Sequence, residues 1–242
     1  MGLLFVLAVG LIAGLVSGII GTGSSILLVP VLASVYGPRE AVPIMAVAAV
    51  MANAARILAW WREIDWRAFA AYAAPGALAA AAGARTLLVL PPRAVDLAIG
   101  TFLLAMIPAR HKLAAHLLRL RLPHLALAGA VIGFLTGIVV STGPLSVPVF
   151  VGYGLAKGAF IGTEAAGSLA VYASKTLTFQ GAGALPPDTL LKGLVVGASL
   201  MGGAFLAKPF VLRLSPDLFR HAMDGLMLVS GLSMIWSAVW AA

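Results

Sequence analysis

The sequence lacks cysteine and has few charged residues. Among its 242 residues, 10% are charged and 62% are hydrophobic. The absence of cysteine excludes disulfide bonds and thiolate metal sites. The shortage of charge excludes an ordinary soluble domain, in which about a quarter of the residues are charged. The composition therefore predicts an integral membrane protein, with the lipid bilayer as one partner.

The chain also has no basic stretch outside its hydrophobic body, although its net charge is +8. Lysine and arginine collect in the cytoplasmic loops of membrane proteins, which explains this excess without nucleic acid as a partner. His111, His116 and His124 are scattered through a basic loop, so we expect no metal site. No motif pairs a nucleophile with a base, and we expect neither an enzyme nor a cofactor.

Long apolar runs are present instead, and their length favours helices over the short alternating strands of a barrel. The predicted segments are 2–21, 24–36, 40–61, 67–90, 93–109, 122–140, 144–156, 158–179, 188–208 and 217–241. The segments at 24–36 and 144–156 would each span only about 20 Å at 1.5 Å per residue. This is short of the ~30 Å hydrocarbon core. They are interpreted as half-helices or re-entrant pieces.

The two halves of the chain repeat. GLIAGLVSGIIGTGSSILLVP at 10–30 matches GAVIGFLTGIVVSTGPLSVP at 129–148, and Tyr36-Gly37 recurs as Tyr153-Gly154. The glycines at 10, 14 and 18 correspond to those at 129, 133 and 137, a spacing that is typical of closely packed membrane helices. The predicted organisation is a first membrane repeat at 1–109, a basic cytoplasmic linker at 110–121 and a second membrane repeat at 122–242.

The distribution of positive charge predicts the orientation. Five segments in each half would turn the second repeat upside down relative to the first. Placing the central basic stretch in the cytoplasm then puts most basic residues inside: Arg62, Arg67, Arg110, Lys112, Arg119, Arg121, Lys157, Lys208, Arg213 and Arg220. The positive-inside rule therefore favours an all-α protein of two inverted-topology repeats, with both termini outside.

Small and polar residues interrupt the apolar run where each short segment begins. A helix N-terminus there would leave about four N–H groups unpaired and carry about half a positive charge. Inverted symmetry would bring both N-termini to one point, which predicts an anion pocket. The alternative is that small residues only allow tight helix packing. The candidate binding residues are Gly21, Thr22, Gly23, Ser24, Ser25, Ser141, Thr142, Gly143 and Ser146.

Each half also carries one cation inside the long segment that follows the short one, Arg56 in the first and Lys175 in the second. Each lies about 8–10 Å from the middle of its segment. The two side chains either snorkel to the nearer interface or attract an anion from opposite sides. Asn53, one turn before Arg56, and Tyr172, in the matching place before Lys175, are candidates for the same pocket.

Two acids, Glu164 and Asp224, lie within apolar segments. An uncompensated carboxylate is unfavourable there, so each is expected to be protonated, paired or in contact with water. Glu164 is a candidate proton carrier. The alternative is a packed structural residue that bonds to a serine or to a half-helix N-terminus.

The duplicated glycine motif resembles that of the TauE/SafE-type sulfite exporters, also called the TSUP family. The two copies read GLVSGIIGTGSSILLVP at 14–30 and GFLTGIVVSTGPLSVP at 133–148, and AFIGTEAAGS at 159–168 places Thr163 at a family threonine. The resemblance covers nearly the whole chain. It implies a multi-pass protein of the bacterial cytoplasmic (inner) membrane that transports sulfite, thiosulfate, sulfoacetate or a related sulfonate.

The sequence thus predicts a secondary transporter of a small anionic substrate that works by alternating access. Two rivals are an anion channel and a cation transporter that uses Glu164 and Asp224. A monomer and a homodimer both fit the large apolar surface.

Overall fold

The computed structural model describes residues 2–20, 24–115, 120–139 and 142–207, and eight further positions: 224, 225, 228, 231, 232, 235, 236 and 239. Between residues 2 and 207 the described chain forms nine α-helices and one short 3₁₀ helix, Trp61–Glu63, with no strand. The helices are α1 Gly2–Ile20, α2 Ser24–Tyr36, α3 Pro38–Trp60, α4 Trp66–Val89, α5 Pro92–Ala115, α6 Leu122–Ile138, α7 Gly143–Tyr153, α8 Lys157–Gly181 and α9 Pro187–Ala207. The all-α prediction is confirmed for this part of the chain.

The two short segments are short helices in the structure. Helix α2 has 13 residues and α7 has 11, against 23 in α3 and 25 in α8. Helix α5 continues to Ala115, so the beginning of the predicted 110–121 linker is helical. The division into 1–109, 110–121 and 122–242 stays a prediction, and most of the segment predicted at 217–241 lies outside the described residues.

Local sequence explains several helix boundaries. Asp65 caps α4, because its Oδ1 accepts hydrogen bonds of 3.0 Å from the backbone N–H groups of Arg67 and Ala68. The repeated Tyr-Gly pair follows both short helices. Gly37 has φ 82° and Gly154 has φ 107°, a left-handed conformation that glycine adopts without the strain of a Cβ atom. Each short helix therefore ends at a glycine-dependent turn.

Helices α1 and α9 pack closely, and so do α4 and α6. A Cβ atom on Gly14 would lie 2.8 Å from the Leu200 backbone of α9. A Cβ atom on Gly133 would lie 2.8 Å from the Gly76 backbone of α4. These distances are shorter than any real Cβ contact, so the prediction that the glycine stripe allows tight helix packing is confirmed.

Helices α3 and α8 pack on each other and on several further helices. Helix α3 packs on α2, α8 and α9, while α8 packs on α3 and α4. These two helices carry the buried polar residues Asn53, Arg56, Glu164 and Lys175. Large apolar side chains are exposed on the outside, such as Leu78 at 77% and Val89 at 81%. Apolar residues outside and polar residues inside are typical of a protein that lipid surrounds.

Two helical stretches in the described part are long and apolar enough to cross a membrane. They are Glu40–Glu63, most of which is α3, and Pro187–Ala207, which is α9. Leu3–Gly18 and Leu122–Ile138 are apolar but shorter.

Candidate functional site

A small polar cavity lies where α2, α3, α4, α6, α7 and α8 meet. Its volume is about 30 Å³. A water molecule needs about 10–15 Å³ of such space, so the cavity has room for about two. Its lining is mostly polar: Ser24, Ser25, Ala49, Ala52, Asn53, Arg56, Tyr72, Thr136, Thr142, Gly143, Ser146, Glu164, Ser168, Val171 and Tyr172.

The N-terminal ends of both short helices line this cavity. Helix α2 contributes its first residues, Ser24 and Ser25, and α7 contributes its N-cap residue Thr142 and its first-turn residues Gly143 and Ser146. These five candidates, from distant parts of the chain, are therefore brought together. The other four residues proposed at the interruptions, Gly21, Thr22, Gly23 and Ser141, lie outside the described residues.

Arg56 reaches the cavity from α3 and is 6% exposed. Its Nη1 donates to Glu164 Oε2 on α8 at 3.1 Å, and its Nη2 donates to Asn53 Oδ1. Asn53 Nδ2 in turn donates to the Ala49 carbonyl at 2.8 Å, which fixes the orientation of the amide. Arg56 is therefore buried and held between Asn53 of its own helix and Glu164 of α8.

Glu164 accepts hydrogen bonds at both carboxylate oxygens. Besides the bond from Arg56, Oε1 accepts from Ser146 Oγ at 2.9 Å and from Ser168 Oγ at 2.8 Å. Ser146 belongs to the first turn of α7, so the carboxylate lies beside the N-terminus of a short helix. The position favours a negative charge, because the helix dipole and the arginine both attract it.

The cavity retains positive polarity after this pairing. The charges of Arg56 and Glu164 compensate each other, whereas each helix N-terminus adds about half a positive charge. In addition, Arg56 Nε is buried and has no hydrogen-bond partner among the described residues. The site therefore has an unsatisfied donor and a field that favours an anion over a cation.

Lys175 does not line the cavity. It is fully buried, and its Nζ donates to the carbonyls of Thr136 at 2.7 Å and Val139 at 2.9 Å. These carbonyls lie at the C-terminal end of α6, where the helix dipole is negative and the final carbonyls lack helical partners. The sequence-based alternatives for Lys175 are snorkelling to an interface and attraction of an anion, and both stay predictions. In the structure, Lys175 caps the helix that precedes the interruption.

Thr163, the residue implied by the family resemblance, also lies away from the cavity. Its Oγ1 accepts a 2.9 Å hydrogen bond from the backbone N–H of Asp65, just before α4. It therefore holds the turn between α3 and α4 against α8. Tyr172, by contrast, lines the cavity as proposed, and Asp224 does not.

Sequence reasoning missed three polar lining residues, Tyr72, Thr136 and Ser168. Ser168 lies four residues after Glu164 on the same helix face, a spacing that was visible in the sequence. The Thr136 hydroxyl bonds to that of Thr142 across the interruption. Tyr72 lies two turns into α4 and packs on Phe150 with ring centroids 4.9 Å apart. No sequence pattern marked it, because α4 carries no interruption of its own.

The chain matches a protein-family profile. The profile described as Sulfite exporter TauE/SafE matches residues 6–234, which is nearly the whole chain. Searches of the curated proteins and of the solved structures find no match.

Proposed function

The chain belongs to the sulfite exporter TauE/SafE family, a family of multi-pass membrane transporters, and we propose that it carries a small anion across the bilayer by alternating access. The substrate class is a sulfur oxyanion or sulfonate, such as sulfite, thiosulfate or sulfoacetate. Glu164 is the proposed site of coupling to protons.

One observation carries this proposal. The N-termini of two short helices from opposite halves of the chain line the same buried cavity, together with Arg56. Backbone N–H groups, serine hydroxyls and a guanidinium are all donors, and the oxygens of an oxyanion are all acceptors. The cavity therefore matches the chemistry of an anionic head group that has left water.

The helix contacts support two structurally equivalent repeats, and their inverted relation is part of the proposal. If α1, α3 and α4 correspond to α6, α8 and α9, then the α1–α9 pair corresponds to α6–α4. The α3–α9 pair likewise corresponds to α8–α4. All four of these helix contacts are observed. The glycine turns after α2 and α7 correspond in the same way. Two pseudo-equivalent halves around one site are the usual basis of alternating access.

The size of the cavity supports a carrier over a channel. Space for about two waters is too little for a hydrated anion, so side chains must separate before a substrate enters. We interpret the structure as a closed state of the transport cycle. A channel would instead conduct current without saturation, which recordings in planar bilayers measure.

A cation transporter is the weaker alternative. Three donors already occupy the Glu164 carboxylate, one of them a guanidinium, which leaves little capacity for a cation. Its proposed partner Asp224 does not line the cavity.

The proposal predicts that Ser24→Leu and Thr142→Leu each reduce anion uptake at least about tenfold, because a leucine would fill the cavity and remove a donor. A tenfold change corresponds to about 1.4 kcal/mol. Uptake of radiolabelled sulfite or thiosulfate into proteoliposomes measures this. Ser34→Leu is the matched control, because Ser34 is exposed near the other end of α2. Uptake that all three variants retain in full would remove both helix N-termini from the binding site.

Thr163 is not among the residues that line the cavity. Thr163→Val should leave the Asp65 N–H without its partner and lower the free energy of unfolding by about 1–3 kcal/mol. Anion affinity should be unchanged. Thermal unfolding of the purified protein with and without thiosulfate measures both effects, and a selective loss of affinity would restore Thr163 to the binding site.

A further inference from the structure

We propose that the Glu164 carboxylate occupies the place of the transported anion in the closed state, and that a substrate binds by displacing it as Glu164 takes up one proton. This inference rests on the proposed function and concerns the same cavity. It assigns Glu164 the role of an internal competitor for the anion.

The contacts of Glu164 are those that the substrate needs. Its two oxygens accept from Arg56 Nη1 and from the hydroxyl of Ser146, in the first turn of α7. These are two of the best anion donors in the cavity, and the carboxylate engages both. An entering oxyanion therefore competes with Glu164 for the same hydrogen bonds.

The hydroxyl of Ser146 is placed to respond to a proton. It lies 2.9 Å from Glu164 Oε1 and 2.9 Å from the carbonyl of Gly143, but it has a single proton to donate. When Glu164 is ionised, Ser146 donates to the carboxylate. When Glu164 is protonated and displaced, Ser146 donates to the Gly143 carbonyl until an oxygen of the substrate accepts in its place. The site can therefore satisfy both protonation states.

The charges in the cavity require that Glu164 be protonated when the anion binds. An anion beside an ionised Glu164 would place two negative charges next to one guanidinium in a site with little water, which is unfavourable. Protonation converts the carboxylate to a neutral carboxyl group and frees Arg56 to pair with the substrate. For a monoanion the exchange conserves the charge of the cavity, because the anion brings one negative charge and the proton removes that of Glu164. A dianion such as thiosulfate or sulfoacetate leaves one further negative charge, which faces Arg56 and the N-termini of the two short helices.

The neighbours of Glu164 do not offer another proton carrier. Among the described residues, the ionisable groups that share its cavity are Arg56 on α3, Tyr72 on α4 and Tyr172 on α8. In ordinary surroundings arginine stays charged and tyrosine stays neutral near neutral pH. Within this cavity, the coupling is therefore assigned to the carboxyl group of Glu164.

Wild-type protein alone tests the inference. Titration calorimetry with thiosulfate or sulfoacetate, which keep a constant charge near neutral pH, should show uptake of about one proton per anion when buffers of different ionisation enthalpy are compared. Where Glu164 is ionised in the free protein, the affinity should fall about tenfold for each unit of rising pH, because binding then requires the uptake of one proton. Binding without proton uptake would overturn the inference.

The variant Glu164→Gln tests whether the carboxyl group of Glu164 causes the pH dependence. Glutamine keeps an acceptor oxygen for Arg56 but cannot ionise, so the variant should bind the anion independently of pH and more tightly than wild type at high pH. Glu40→Gln is the matched control, because Glu40 pairs with Lys192 at 2.8 Å outside the cavity. The control should keep the wild-type pH dependence.

The outcomes separate the two proposals. Anion binding with a pH dependence that survives in Glu164→Gln would overturn the displacement of Glu164 and leave the proposed function standing. Absence of binding in wild type and in both variants would overturn the proposed function and this inference with it.

Discussion

Replacement of Arg56 by methionine should abolish anion uptake and lower the free energy of unfolding by about 3–5 kcal/mol. The variant leaves the Glu164 carboxylate buried beside an apolar side chain, with only two serine hydroxyls as donors. It also removes the one cation that lines the cavity in the described structure. Chemical or thermal unfolding in detergent measures the first effect, and uptake into proteoliposomes measures the second.

The double variant Arg56→Met/Glu164→Leu separates stability from transport. Without either charge, the protein should recover most of the lost stability, because apolar residues often replace a buried ion pair at little cost. Uptake should stay absent, since the guanidinium that binds the anion is still missing. A single Arg56→Met variant that is as stable as wild type would contradict the buried ion pair, and one that transports normally would contradict the site.

The second large effect is expected at neighbouring glycines of α9. Gly203→Ala should destabilise the protein by about 1–3 kcal/mol or more, because its Cβ atom would contact the Leu11 carbonyl oxygen and would lie 2.7 Å from the Leu15 nitrogen of α1. Backbone atoms cannot rotate away as a side chain can. The two helices must therefore separate, and thermal unfolding should report a lower midpoint.

Gly202→Ala is the matched control, one residue earlier on the same helix. Its Cβ atom would meet only the end of the Leu11 side chain at 3.6 Å, an ordinary contact. Alanine is also favoured over glycine within a helix by about 1 kcal/mol. This variant should be as stable as wild type or more stable. Equal destabilisation by both substitutions would contradict the close contact between Gly203 and the backbone of α1.

The helices could be predicted from the sequence because each depends on a local pattern. Apolar runs bounded by glycine, proline or charge define most of the described helices to within a few residues, and the 13-residue length of α2 follows from the segment at 24–36. Helix α5 is the exception, because it continues from the predicted end at 109 to Ala115. The glycine stripe of α1 was recognised as a packing surface. Its partner α9 was not, because a stripe shows that a helix packs closely but not against which neighbour.

The site could be predicted only in part for the same reason. The interruptions before α2 and α7 are visible in the chain, and so are the cations that follow them. The pairing of Arg56 with Glu164, 108 residues apart, is not visible, because it depends on how α3 packs on α8. Lys175 matched Arg56 by position in the repeat, yet it binds the carbonyl end of α6. Sequence symmetry predicted corresponding places but not corresponding partners.

The close pairing of α1 with α9 has a consequence for how the protein is made. The surface that Gly10 and Gly14 create on the first helix is filled by Ser199 and Leu200 near the end of the described chain. Because α1 is synthesised long before α9, its glycine face has no α9 partner until residues 187–207 have been made. A chain truncated before α9 would therefore keep that face uncovered, and we expect such a chain to fold less completely than the full-length protein.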